Sequence, residues 1–161
     1  MHDIFLLLGS NIGNREKYLQ DAIELVNQHI GKIKKASSLY ETAAWGKTNQ
    51  RSFLNQAVCL ITELPAVKLL QSVLRIEEIL DRKRVEHWGS RTIDIDILFY
   101  GAELIAEPNL TIPHKLLHER RFVLAPLAEI APDLIHPALN KTIKQLLVDL
   151  TDDLSVKKLR N

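Results

Sequence analysis

At 161 residues, with 46% apolar and 25% charged side chains, the chain has the composition of a single globular domain, 1–161, with a substantial core. A net charge of +1 excludes a general nucleic-acid or membrane-surface binder, so any anion specificity must sit in a local cluster. The lone cysteine, Cys59, excludes an internal disulfide, the apolar run Ile4 to Leu8 is too short to span a bilayer, and a cytoplasmic location is expected.

Ile4 to Leu8 predicts a central strand that ends in a turn at Gly9-Ser10-Asn11 and Gly13-Asn14. Gly9 and Gly13 lack the Gly-Lys-Ser/Thr ending of a phosphate loop, so the spacing reads as a turn. Leu19, Ala22, Ile23, Val26 and Ile30 recur at helical spacing, with Gly31 as the stop. Ile33 to Thr42 predicts a second strand, and Ala43 to Arg51 an aperiodic, mobile loop. Phe53 to Thr62 is a third strand that holds Cys59 as a core residue. Pro65 opens a second helix whose stripe is Leu70, Val73, Leu74 and Leu80. Glu77 falls on that stripe, where an acid is either paired with a cation or facing a cleft. Asp81 to Ser90 is a basic loop, also expected to be mobile, and Thr92 to Tyr100 a fourth strand.

The order β-α-β-β-α-β predicts an α/β (α+β) fold, a ferredoxin-like sandwich with helices on one face of an antiparallel sheet and the other face free for ligand. After it come a turn at Glu107-Pro108-Asn109, Pro113-His114, helical turns from Arg120 to Ala131 broken by Pro126, and a last amphipathic helix marked by Ile143, Leu146, Leu147 and Leu150. These are additional C-terminal helices. The polar tail, Asp152 to Asn161, is expected to fray.

The chemistry concentrates in Trp88-Gly89-Ser90-Arg91-Thr92-Ile93-Asp94-Ile95-Asp96-Ile97-Leu98. Strand alternation sends Asp94 and Asp96 to one face and Ile93, Ile95, Ile97 and Phe99 to the other. Two neighbouring carboxylates repel unless a cation lies between them, and an all-oxygen pair suits Mg²⁺ bound together with substrate phosphates. Alone, Asp-x-Asp reads as the solvated face of an edge strand; Arg91 beside it, with Arg82, Lys83 and Arg84 upstream, turns the reading toward a polyphosphate site. Asn55 shares its face with Phe53, Ala57, Cys59 and Ile61, so its amide either ties the sheet end to backbone or reads a flat heterocycle. Trp88, in a charged loop without a core to join, reads as a lid, with partial burial under its own loop as the alternative. Arg120-Arg121 is either a solvated helix face or a second cationic hold on phosphate.

Leu8-Gly9-Ser10-Asn11, Ser38-Leu39-Tyr40-Glu41-Thr42, Phe53-Leu54-Asn55, Arg75-Ile76-Glu77, the arginine-to-aspartate block, Pro113-His114 and Arg120-Arg121-Phe122-Val123-Leu124-Ala125-Pro126-Leu127 together resemble the 6-hydroxymethyl-7,8-dihydropterin pyrophosphokinase family of folate biosynthesis. The likeness runs in order from about Ile4 to Pro137. It implies a ferredoxin-like fold and transfer of pyrophosphate from ATP to the pterin hydroxymethyl group, leaving AMP. By matching positions, Asp94 and Asp96 would hold two Mg²⁺ ions, with Arg82, Arg84 and Arg91 as the further catalytic residues. The pterin would meet Thr42, Ala43, Trp45, Phe53, Asn55, Trp88 and Phe122. ATP would meet Glu77, Arg82, Arg84, Trp88, Arg91, Ile97, Leu110, Thr111, His114, Lys115 and Arg120. Ala43-Ala44 stands where prolines are usual, and Lys115 where proline or tyrosine is usual. The implied partners are the two small substrates, with no nucleic acid or membrane, acting on a monomer.

Two rivals fit less well. A nucleotidyltransferase places Gly-Ser at a helix start far from its strand acids, whereas here three residues separate Gly89-Ser90 from Asp94. An RNA-binding module wants exposed aromatics and bases on its central strands, where this chain has Asp94 and Asp96.

Overall fold

The computed structural model describes residues 1–42, 51–80, 92–151 and 155–159. Its elements run β1 (His2–Ser10), α1 (Arg15–His29), β2 (Ile33–Ala36), β3 (Tyr40–Thr42), β4 (Phe53–Thr62), α2 (Ala66–Leu80), β5 (Asp94–Tyr100), β6 (Ile105–Glu107), β7 (Leu110–Ile112), a 3₁₀ turn (Leu117–Glu119), α3 (Arg121–Ile130), α4 (Ile143–Asp149) and β8 (Val156–Lys158). This is a mixed α/β fold with an antiparallel sheet and, among the described residues, four helices. None of them is long and apolar enough to cross a membrane.

The main sheet has the order β5-β1-β4-β3-β8, with β2 also pairing along β4. β1 sits near its centre because Phe5 to Leu8 are apolar on both faces, and each face is covered. On one side Ile4, Leu6, Leu8, Leu54, Val58, Leu60, Ile95 and Ile97 pack against Leu19, Ala22 and Val26 of α1 and Leu69, Val73 and Ile76 of α2. On the other, Phe5, Leu7, Ala57, Cys59 and Phe99 pack against Val123, Leu124 and Leu127 of α3 and Ile143 and Leu146 of α4. At roughly 25 cal/mol per Å² of apolar surface, two such cores are what hold a domain of this size together.

Several expectations need correction. The second face is not free: α3 and α4 cover it as far as Leu7 and Ala57, and among the described residues the sheet end beyond them is not part of that core. The stretch Ile33 to Thr42 is two short strands, interrupted where the Ser37 hydroxyl turns inward to accept from the backbone N–H of Ala57, at 2.9 Å. The inward stripe of α2 is Leu69, Val73 and Ile76, with Leu70 and Leu80 partly buried beside it; of the expected stripe, Leu74 turns outward and is 48% exposed. Pro126 lies inside α3 without breaking it, buried with its neighbours Leu124 and Leu127 against the sheet. The tail does not fray throughout: Val156–Lys158 pairs with Tyr40–Thr42, and Leu159 N–H donates to Leu39 O at 2.8 Å. β6 and β7 form a hairpin around the expected turn. Finally, the register shifts between Phe5 and Leu6, so Phe99 joins the α3 side rather than the isoleucines' side.

Candidate active site

The sheet end beyond that core is built by four strands in register. Gly9 of β1 lies between Asn55 of β4 and Asp94 of β5, and Asn55 is in turn opposite Tyr40 of β3. One step along, Leu7 lies between Ala57 and Asp96, and on the other side Phe53 faces Thr42. Since residues opposite one another share a face, Thr42, Phe53, Asn55, Asp94 and Asp96 project together. The two aspartates are half-buried, while Asn55 is 4% exposed.

Gly9 makes this row possible. A Cβ at that position would come within 2.6 Å of Oδ1 of Asn55 and 3.7 Å of Cδ1 of Phe53. The amide therefore lies across the bare backbone of Gly9. A glycine within a strand marks a close approach of this kind; the sequence carried that signal, but a strand ending at Leu8 hid it.

Asp94 and Asp96 are held by their strand, and the strand is held from its outer side. Among the described residues β5 pairs only with β1, so its outward N–H groups need other acceptors. Glu77 of α2 supplies one: Oε2 accepts from the N–H of Ile95, between the two aspartates, at 2.7 Å. Of the two expectations for Glu77, neither named this backbone contact. Further along, His114 N–H donates to Leu98 O at 3.1 Å and brings the segment after β7 against β5.

His114 is held below the usual histidine pKa, first by burial and then by Arg120 and Lys115, with Asp94 opposing them. Its Nδ1 accepts from Leu116 N–H at 3.3 Å, so a neutral ring carries its proton on Nε2 and can donate it. The guanidinium of Arg120 stands 5.5 Å from the centre of the Phe122 ring at the start of α3, within cation–π range. Phe122 is half-buried at the margin of the second core.

The structure thus brings together Thr42, Phe53, Asn55, Asp94 and Asp96, ties Glu77 to their strand, and couples His114 to Asp94 and Arg120. Thr111 and Lys115 are exposed beside His114. Ile97 and Leu110 are buried in the helix-side core, so a ligand there would meet backbone rather than side chain. Ala43, Trp45, Arg82, Arg84, Trp88 and Arg91 lie outside the described residues, as do both loops expected to be mobile except for Arg51 at the end of the first.

Two carboxylates on one face form a hard, all-oxygen donor set, which fits Mg²⁺. Among the described residues no group of three or more His, Cys, Asp or Glu side chains is arranged to bind a metal. The remaining ligands would come from phosphate oxygens and water, as is usual for Mg²⁺ at phosphate sites.

A family model described as 7,8-dihydro-6-hydroxymethylpterin-pyrophosphokinase matches residues 5–132. The chain is 41% identical over 145 residues to the 2-amino-4-hydroxy-6-hydroxymethyldihydropteridine pyrophosphokinase of Aquifex aeolicus, covering 90% of both chains. It is 47% identical over 127 residues to the enzyme of the same name from Bacillus subtilis, covering 78% of this chain and 76% of that one. Its fold is similar to that of wild-type Plasmodium falciparum HPPK-DHPS, with a TM-score of 0.75 at 21% identity. That match covers 91% of this chain but spans only 44% of the longer one.

Proposed function

This chain belongs to the 7,8-dihydro-6-hydroxymethylpterin-pyrophosphokinase family, and on that premise we propose that the sheet end around Asn55, Asp94 and Asp96 is where it carries out the family's reaction. The reaction is ATP-dependent transfer of pyrophosphate to hydroxymethyldihydropterin, in folate biosynthesis. The observation that carries the assignment is the row Asn55–Gly9–Asp94, which sets a buried amide and a metal-type carboxylate pair on one face.

In this reading Asn55 takes the amide-like edge of the pterin, with Phe53 and Phe122 as its stacking surfaces and Thr42, Ala43, Trp45 and Trp88 around it. A buried amide that can both donate and accept selects a heterocycle with matching groups, because a mismatch would leave it unpaired. Two Mg²⁺ ions, held by Asp94 and Asp96, would supply charge neutralisation on the phosphates and a lower pKa for the pterin hydroxyl. Glu77 keeps the two carboxylates in fixed relation through Ile95. His114, through its Nε2 proton, and Arg120 hold phosphate oxygens, with Lys115, Thr111 and the backbone of Ile97 and Leu110 beside the nucleotide. Arg82, Arg84 and Arg91 complete the cationic set. No protein nucleophile is needed: in-line approach of the hydroxyl to the β-phosphorus, with AMP departing, depends on positioning and charge.

The order β5-β1-β4 with β2 and β3 on the far side of β4 is what a ferredoxin-like βαββαβ sheet would give, and we assign the chain to that topology as one domain. A monomer acting in the cytoplasm completes the reading.

The test is product analysis with ATP, Mg²⁺ and 6-hydroxymethyl-7,8-dihydropterin. Free AMP should accumulate in step with pterin diphosphate, and Asp96→Ala should abolish it without lowering the melting temperature. Release of pyrophosphate instead of AMP, or near-normal turnover by Asp96→Ala at ordinary magnesium, would reject the site.

A further inference from the structure

Behind the site, on the α1 side of the sheet, lies a polar cluster that no step above uses. Glu41 of β3 is opposite Leu54, whose side chain belongs to the helix-side core, so Glu41 points away from Thr42, Phe53 and Asn55. Arg15, the first residue of α1, meets it there. Its Nη1 donates to Glu41 Oε2 at 2.8 Å, and lies 3.0 Å from the carbonyl oxygen and 3.2 Å from Oγ of Ser52. The Ser52 hydroxyl donates to the same Glu41 oxygen at 2.9 Å. The Arg15 side chain is 16% exposed and that of Glu41 32%.

Two further bonds run from the same turn. Asn11 Nδ2 donates to Arg51 O at 3.2 Å, and Arg51 Nη1 donates to Gly13 O at 2.8 Å. The turn after β1 therefore grips residues 51–52, and Arg15 extends the grip to β3. The Arg15 hydrogen bond is the largest influence that holds the Glu41 carboxyl below the usual carboxylate range.

Among the described residues β3 offers β4 the pairs Tyr40–Asn55, Glu41–Leu54 and Thr42–Phe53. A pairing this short is weak by itself, and its last rung is where Phe53 begins. Recognition of a flat heterocycle by an amide tolerates displacements of only about 0.5 Å. A charged tie across that last rung, placed on the opposite face, would hold the geometry without touching the ligand.

We propose that Arg15 is a positioning residue for pterin recognition, fixing Phe53 and Asn55 by tying Glu41 of β3 to Ser52 at the entry of β4. This rests on the reading of the Phe53–Asn55 face as the pterin site. The ATP-side groups, Glu77, His114 and Arg120, belong to other elements and do not depend on the tie.

The test compares Arg15→Met, Arg15→Lys, Glu41→Gln and the exchanged pair Arg15→Glu with Glu41→Arg, by steady-state kinetics in both substrates and by thermal melting. Arg15→Met should raise the KM for the pterin about tenfold, as expected for loss of a charged hydrogen-bond set, with the KM for ATP and kcat little changed. Arg15→Lys and the exchanged pair should restore much of it. An unchanged pterin KM, or equal rises in both KM values, overturns the role. If Arg15→Met does not fold, Glu41→Gln must show the same split more weakly, and an unchanged pterin KM there overturns it equally. Asn55→Ala separates the two layers. A higher pterin KM in Asn55→Ala but not in Arg15→Met rejects the positioning role alone; no rise in either rejects the pterin face and this inference with it.

Discussion

Oδ1 of Asn55 occupies the space that a Cβ on Gly9 would need, with only 2.6 Å between the two positions. The absence of a Cβ at Gly9 is thus what allows a buried amide to lie beside the Asp94–Asp96 pair. Gly9→Ala should be tolerated by the fold, since the obstacle is a side-chain end and alanine suits a strand better than glycine. Asn55 must then turn aside. The expected outcome is a pterin KM raised by about tenfold or more, for a displaced hydrogen-bonding pair, at nearly unchanged melting temperature. A normal pterin KM would show that Asn55 does not need this space.

Gly31 gives the opposite case. A Cβ there would come within 2.0 Å of the Ile61 carbonyl oxygen, which is backbone and cannot turn away. Gly31→Ala should therefore cost several kcal/mol by forcing α1 and β4 apart, in the upper range for single substitutions. Chemical denaturation measures it. A cost below about 1 kcal/mol, the ordinary level for point changes, would mean that the turn adjusts freely.

Glu77 Oε2 accepts from the N–H of Ile95, which lies between the two aspartates. Glu77→Ala leaves that group without its acceptor and loosens the strand between the two carboxylates, whereas Glu77→Gln keeps an oxygen at the same place. Turnover should fall by about tenfold or more in the alanine variant, with a higher magnesium requirement, and much less in the glutamine variant. Magnesium titrations of kcat distinguish this from a general loss of stability. Equal effects of both variants would point to the charge of Glu77 rather than to its hydrogen bond.

Glu129 of α3 ties down the segment leading into β3. Its Oε1 accepts from the Tyr40 hydroxyl at 2.7 Å, and Oε2 from Ser38 N–H at 3.0 Å and Ser38 Oγ at 3.1 Å. Burial alone would raise its pKa, but the bonds from Tyr40 and Ser38, aided by Lys158, outweigh it and hold the carboxyl low. A carboxyl lower in the folded than in the unfolded chain adds stability above the unfolded value, about 4.3 for glutamate. That stability is lost as the pH falls through the lower native value. Glu129→Gln should cost about 1 kcal/mol at neutral pH, a figure kept small by partial exposure. The gap in melting temperature from the parent should be constant between about pH 6 and 8 and close below about pH 4. A gap that persists in acid would assign the loss to packing.

How much could be read beforehand depended on the range of the interactions. Alternation along Asp94 to Ile97 and along Phe53 to Ile61 is local, and it placed both aspartates, Phe53 and Asn55 on the right faces. It failed at Phe99, where a register shift against β1 turns the side chain over. A shift of that kind is a property of two strands, not of one.

The sequence by itself determined the alternating elements, the acidic pair with its suitability for Mg²⁺, and the family resemblance, because each is written in residue types at short spacing. The tertiary structure decided which distant groups meet: Gly9 with Asn55, Glu77 with Ile95, Arg15 with Glu41 across 26 positions, and Ser38 with Glu129 across 91. It also decided that α3 and α4 cover most of the face expected to be open. Strand register and helix rotation set these pairings, and both are fixed only when the two cores close, since packing many side chains at once selects one alignment among several that the local pattern allows.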